Sequence, residues 1–242
     1  MGKLEGKVAI VTGGSRGIGK AIARGLAAEG AKVVITARNA ETLQQTAREL
    51  SAGGTAIVPV PADISHEAQV TALFQRTLDL FHRLDVLVNN AGVFDGGAID
   101  ELSVETWDKI MSVNLRGTFL CTRAALRIMK PQRSGRILNI GSIAAQRPRI
   151  RGAAYAASKF GVWGLTNATA LEGREFGISA CCLHPGNVPF EDPSTPDMRV
   201  KEPMMAAEEV AEVAVLMATQ PPHVNVLEAI VLPVQQAYLG RS

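Results

Sequence analysis

The chain has 242 residues, 47% of them hydrophobic, with a formal net charge of +2. That is enough apolar material for a sizeable core, and the near-balanced charge gives no general basis for binding nucleic acid or an anionic membrane. No stretch approaches the roughly 20 uninterrupted apolar residues of a membrane span. The opening Met1-Gly2-Lys3-Leu4-Glu5-Gly6 lacks the apolar core of a secretory signal, so a cytoplasmic protein is expected.

In chain order, an apolar run at 8–12 predicts a strand, followed by a glycine turn and a helix over 20–29. Further strands are predicted at 33–36, 56–59, 86–89, 137–140, 178–182 and 226–232, and helices at 40–52, 67–81, 104–129, 153–176 and 207–219. Ser65 and Ser103 stand where N-caps are expected. Short apolar strands separated by helices imply a parallel sheet covered on both faces, and right-handed crossovers make it doubly wound. With no linker, repeat or low-complexity tract, one domain over 1–242 is expected. Cys121, Cys181 and Cys182 lie in apolar segments and read as buried thiols. No C-x-x-C occurs, and His66, His82, His184 and His223 are scattered, so no metal site is expected.

Two segments carry chemistry. Gly13-Gly14-Ser15-Arg16-Gly17-Ile18-Gly19 sits between a strand and a helix, where glycines permit close approach to a pyrophosphate and the helix N-terminus attracts it. Tyr155 and Lys159 are four apart, hence on one helix face, and Ser142 lies thirteen positions upstream of Tyr155. A cation beside a phenol favours its ionised form, which makes the pair a proton donor and acceptor for an alcohol or carbonyl.

Thr12-Gly13-Gly14-Ser15-Arg16-Gly17-Ile18-Gly19, Asn89-Asn90-Ala91-Gly92, Asn114, Ser142, Tyr155, Lys159 and Pro185-Gly186 together resemble the short-chain dehydrogenase/reductase family in order and spacing. The similarity runs from Lys3 to about Leu232 and is nearest to the 3-oxoacyl-carrier-protein reductases. It implies a seven-stranded Rossmann fold and an NADP(H)- or NAD(H)-dependent oxidoreductase acting on a carbonyl or alcohol. Tyr155 is then the general acid/base, Lys159 its partner and a ligand of the nicotinamide ribose. Ser142 hydrogen-bonds the substrate oxygen, and Asn114 holds a relay water. Gly13, Ser15, Arg16, Gly17, Ile18 and Gly19 would cradle the phosphates, Asp63 and Ile64 meet the adenine, and Asn89, Ala91 and Gly92 run under the cofactor. Pro185, Gly186 and Val188 complete the nicotinamide side. The resemblance also implies a homo-oligomer, dimer or tetramer, with 104–129 and 153–176 as packing helices.

The second strand is followed by Arg38, with no carboxylate before Glu41, and Arg38 with Arg16 forms a two-arginine clamp suited to the 2′-phosphate of NADP(H). Phe190 stands where the family has Thr, so Asn187, Ser194, Thr195 or backbone must take over that role within a 187–205 substrate loop. Arg147, Arg149 and Arg151 read either as solvated surface arginines or as a receptor for an acidic substrate or carrier. Val231-Leu232-Pro233-Val234-Gln235-Gln236 replaces the Asp-Gly-Gly tail of the carrier-protein reductases. Two alternatives stay open: a 3-oxoacyl thioester reductase, and a non-catalytic NADP(H)-binding sensor or scaffold.

Overall fold

Each predicted strand is a short run of branched or small apolar residues, and in the computed structural model of the protein all seven pair in parallel in one sheet. The structure describes residues 2–52, 54, 56–189 and 202–238. The strands are β1 (Val8–Thr12), β2 (Lys32–Thr36), β3 (Ile57–Pro59), β4 (Val86–Asn89), β5 (Gly135–Ile140), β6 (Ile178–Pro185) and β7 (Glu228–Val231), in the spatial order β3-β2-β1-β4-β5-β6-β7. The order reverses between β1 and β4, which opens a crevice at the C-terminal ends of those strands.

Helices α1 (Gly17–Ala28), α2 (Ala40–Ser51), α3 (Glu67–Phe81), α4 (Val104–Met111), α5 (Thr118–Gln132), α6 (Ala153–Gly173) and α7 (Ala207–Ala218) cover the sheet. Strand side chains alternate between its two faces. Ala9, Val11, Val33 and Ile35 pack with α1 and α7 through Ile22, Leu26, Val210 and Met217. Ile10, Val34, Leu87 and Ile137 pack instead with α3 and α5 through Leu73, Phe74, Leu120 and Met129. The three cysteines are buried and unbridged, and burial pushes each thiol up to about 12.

The structure corrects several sequence expectations. α1 begins at Gly17 rather than at 20, because its first turn is formed by the glycine segment itself. The helix expected over 104–129 is broken by a π-helical turn, Ser112–Gly117, which leaves α4 and α5 on either side. β6 continues past 182 to Pro185, because its outer edge keeps pairing with β7 as far as Pro185 opposite Val231. Ser103 caps α4, its hydroxyl accepting from the Thr106 N–H at 3.1 Å. Ser65 does not cap α3; His66 is the N-cap, because the Ser65 hydroxyl donates to Asp63 Oδ1 at 2.7 Å.

Candidate active site

The C-terminal ends of the strands gather the predicted residues on one edge of the sheet. At β1, Thr12 ties the crevice together: its hydroxyl accepts from the N–H groups of Asn90 and Ala91, both at 3.0 Å. Asn90 Nδ2 returns hydrogen bonds to the carbonyls of Thr12 and Gly13. Gly13 has φ +65°, and a Cβ there would lie 2.9 Å from Ala91 Cα, so only glycine fits. A Cβ on Gly19 would come 2.2 Å from the Gly13 carbonyl, so the missing side chain lets α1 start against the turn. α1 has no acidic residue in its first turn and no side-chain cap at Arg16. Such a backbone cradle at a helix N-terminus fits a pyrophosphate.

Arg16 and Arg38 are exposed and follow β1 and β2, adjacent strands whose last residues, Thr12 and Thr36, are in register. Asp63 is within electrostatic reach of Arg38. Burial works against the Asp63 charge, yet the Ser65 hydroxyl and N–H, with His66 and Arg38, hold it below the ordinary carboxylate range. Asp63 Oδ1 is thus engaged by its own turn, and Ile64 beside it is buried against Gly117. The Asn89 amide also points into the protein, donating to Asn139 at 2.8 Å and Thr122 at 3.2 Å.

Tyr155 and Lys159 lie on the first turns of α6. Lys159 is buried, and its Nζ donates to the carbonyl of Ile140, the last residue of β5, at 2.8 Å. The same ammonium is 5.6 Å from the centre of the Tyr155 ring. Ser142, two residues beyond Ile140, is the N-cap of a 3₁₀ turn, Ile143–Ala145, and its hydroxyl accepts from the Ala144 N–H at 3.1 Å. The edge of Phe94 meets the Tyr155 ring, with centroids 5.1 Å apart, so the segment after β4 forms a wall beside the phenol.

Asn114 sits in the π-helical turn, almost fully buried. Its Oδ1 accepts from the Val93 N–H at 2.8 Å, while Nδ2 donates to the Val93 carbonyl and to Ser158 Oγ. Ser158 in turn donates to the Tyr155 carbonyl at 2.7 Å. Asn114 therefore clamps the β4 exit to α6 one residue from Lys159. Both amide hydrogens are engaged, and the backbone carbonyl already accepts from the Thr118 hydroxyl at 2.7 Å, so a relay water has only a second lone pair of Oδ1 or of that carbonyl to bind.

Beyond β6, Gly186 is partly exposed, and Asn187 and Val188 are buried. Asn187 Nδ2 donates to Glu202 at 2.7 Å, and the Asn187 N–H donates to Gln236 at 3.0 Å. Phe190, Ser194, Thr195 and most of the 187–205 loop fall outside the described residues. The three arginines diverge: Arg149 bonds Asn187 and Glu202, Arg151 is 3.7 Å from Glu101, and Arg147 lies over the Tyr238 ring. Sequence reading missed His184, whose ring contacts the Ser142 backbone, and Gln236, which supports the Pro185-Gly186 exit. No sequence spacing links these partners.

Among the described residues, no helix is long and apolar enough to cross a membrane, and no group of three or more His, Cys, Asp and Glu could hold a metal ion.

Comparison with known proteins identifies relatives of the chain and of its fold. The short chain dehydrogenase family model matches residues 7–192. The chain is 36% identical to an uncharacterized oxidoreductase of Staphylococcus saprophyticus, covering 97% of this chain and all of the relative. It is 41% identical to a 3-oxoacyl-[acyl-carrier-protein] reductase of Synechocystis, over 77% of this chain and 76% of that protein. A crystal structure of a metagenomic short-chain oxidoreductase in complex with NADP superposes with a TM-score of 0.85 at 37% identity, covering 96% of this chain and 98% of the other.

Proposed function

Because the chain belongs to the short-chain dehydrogenase family and is an oxidoreductase of that fold, we propose that it is an NADP(H)-dependent carbonyl reductase or secondary-alcohol dehydrogenase. The observation that carries this reading is the placement of Lys159, whose ammonium stands between the Tyr155 ring and the end of β5 that leads to Ser142.

NADPH, when bound, supplies a hydride to the carbonyl carbon. Tyr155 donates the proton to the carbonyl oxygen and takes it back in the oxidative direction. Ser142 hydrogen-bonds that oxygen as charge develops on it. Lys159 stabilises negative charge left on the phenol and reaches the nicotinamide ribose. Asn114 holds the backbone around them and carries the relay water. Gly13, Ser15, Gly17, Ile18 and Gly19 hold the phosphates, and Arg16 with Arg38 holds the 2′-phosphate. Asp63, Ile64, Asn89, Ala91 and Gly92 line the adenosine half, and Pro185, Gly186 and Val188 the nicotinamide half. The Phe190 side chain has no hydroxyl to offer the carboxamide, and Asn187 is already bonded within the chain, which leaves that role to Ser194, Thr195 or backbone.

The similarity to a 3-oxoacyl-[acyl-carrier-protein] reductase supports a thioester variant of this activity. Against a carrier-docking triplet stands the pairing of Arg149 and Arg151 with Glu202 and Glu101. Exposed Trp107, Phe119 and Phe160 on α4, α5 and α6 support a homo-oligomer packed through those helices. The cytoplasm is the compartment this chemistry suits.

The test is NADPH consumption against a panel of ketones, diketones and 3-oxoacyl thioesters, with Tyr155→Phe alongside. The variant is expected to bind NADPH as the parent does and to lose on the order of 10³-fold in turnover. Cofactor binding with no turnover across the panel would favour the non-catalytic sensor instead.

A further inference from the structure

His184 is fully buried one residue before the end of β6. Three elements hold it in place. Trp163 of α6 meets its ring edge-on at 5.7 Å. Gly141 after β5 leaves it room, since a Cβ there would come 2.5 Å from Nδ1. Glu228 of β7 places Oε1 3.4 Å from Nε2. The charged groups acting on the ring are Glu228 from β7 and Lys159 from α6, and Cys182 of its own strand packs with it against Gly141. Burial is the largest influence and disfavours the ring's charge; Lys159 acts with it, and the Ser142 carbonyl and Glu228 act against it, leaving the ring more acidic than an ordinary histidine.

Serine, histidine and glutamate together suggest a hydrolytic triad, but the geometry differs. Nδ1 contacts the Ser142 backbone, 2.9 Å from its carbonyl oxygen and 3.3 Å from its N–H, while the Ser142 hydroxyl is turned to Ala144. A neutral imidazole carries one N–H. With the proton on Nδ1 the Ser142 carbonyl is bonded at the shorter distance, and Nε2, which has no hydrogen-bond partner among the described residues, faces the carboxylate with a lone pair. With the proton on Nε2, Nδ1 would accept from the Ser142 N–H at 3.3 Å and Nε2–H would face Glu228 at 3.4 Å, but Nδ1 would repel the Ser142 carbonyl at 2.9 Å; that contact is the shortest of the three and favours the Nδ1–H form. Glu228 is also held by Gln146, which donates to Oε1 at 2.5 Å and follows the 3₁₀ turn that Ser142 begins. The Tyr238 hydroxyl donates to Gln146 from the other side. The turn is thus anchored at its start through His184 and at its end through Gln146 and Glu228.

We infer that His184 is a positioning residue whose Nδ1–H holds the Ser142 carbonyl and thereby aims the Ser142 hydroxyl at the substrate oxygen. This rests on the role of Ser142 proposed above. Asparagine preserves a donor at the Nδ1 position, whereas glutamine preserves only one at the Nε2 position.

Two measurements test it. Ring 15N NMR of the full chain, with His184 assigned by its loss in His184→Asn, is expected to show Nδ1 protonated and Nε2 bare at neutral pH. A bare Nδ1 would overturn the inference, with or without a known substrate. In the second, turnover is measured on whichever carbonyl compound of the panel reacts fastest. His184→Gln is expected to lower kcat by about 10- to 100-fold with the NADPH Kd within about twofold, while His184→Asn stays within about threefold of the parent in kcat. Equal losses in the Asn and Gln variants, no loss in either, or loss of NADPH binding with kcat would contradict positioning. Full activity in Ser142→Ala would instead remove the underlying reading of Ser142, and the NMR result would still report the contact by itself.

Discussion

The two ends of the sheet treat polar groups in opposite ways. At the N-terminal end, Asp85 is buried and saturated: it accepts from the Val8 N–H at 3.0 Å and from Arg83 at 2.7 and 2.8 Å, with Lys7 at 3.3 Å. Arg136 beside it donates to the carbonyls of Met217, Gln220, Pro221 and Val224, closing the C-terminus of α7. At the C-terminal end, Thr36 Oγ1, Asn89 Oδ1, His184 Nε2 and Gln236 Nε2 are buried without a hydrogen-bond partner among the described residues. All four lie at or just beyond the ends of strands that face the candidate site. Unsatisfied buried polar atoms are rare and need a reason. One end satisfies its buried polar groups within the chain; the other leaves several without a protein partner near the candidate site.

The largest test of this contrast pairs Tyr155→Phe with Asp85→Asn. The first should lower turnover about 10³-fold and leave the melting temperature nearly unchanged. The second should remove about 2 kcal/mol of stability in denaturant titrations and leave turnover per folded molecule intact. A catalytic loss in Asp85→Asn equal to its stability loss would break the division.

The same aspartate sets a pH dependence. Burial opposes its charge, but Arg83, the Val8 N–H and Lys7 hold it below the ordinary carboxylate range. With a folded pKa under the unfolded value of about 3.9, its contribution is present above that pH and lost as pH falls through the folded value. Acid unfolding monitored by circular dichroism below about pH 4 should therefore be shallower in Asp85→Asn.

Arg38→Asp should move cofactor preference from NADPH toward NADH by about 10- to 100-fold in kcat/KM, because a charge-assisted phosphate bond is replaced by repulsion. An unchanged preference would mean that the exposed arginines at the ends of β1 and β2 do not form a clamp. The smallest effect is expected from Ser103→Ala, about 1 kcal/mol from removing the cap of α4, read as a small shift in melting temperature.

Much of this was legible in the sequence because it is local. Seven apolar runs named seven strands, and spacing alone put the glycine segment between β1 and α1 and set Tyr155 and Lys159 one turn apart on α6. What escaped depends on pairing across the chain. The π-helical turn leaves the apolar pattern of 104–129 intact, and only Asn114, a mediocre helix former, hinted at it. Ser65 resembled a cap until Asp63 claimed its hydroxyl. The apolar run of β6 stops at 182, and only pairing with β7 shows that the strand itself continues through Pro185. His184 meets Ser142 across 42 residues, a contact that spacing does not reveal.

A crystal structure of the protein with NADP+ tests the central claim most directly. The cofactor is expected along the β1–β4 crevice, with its 2′-phosphate between Arg16 and Arg38 and its nicotinamide ribose on Lys159. The Tyr155 hydroxyl should then lie within a hydrogen bond, or one bridging water, of the reacting carbonyl's place. A cofactor bound elsewhere, or a Tyr155 hydroxyl beyond that reach, would contradict the account.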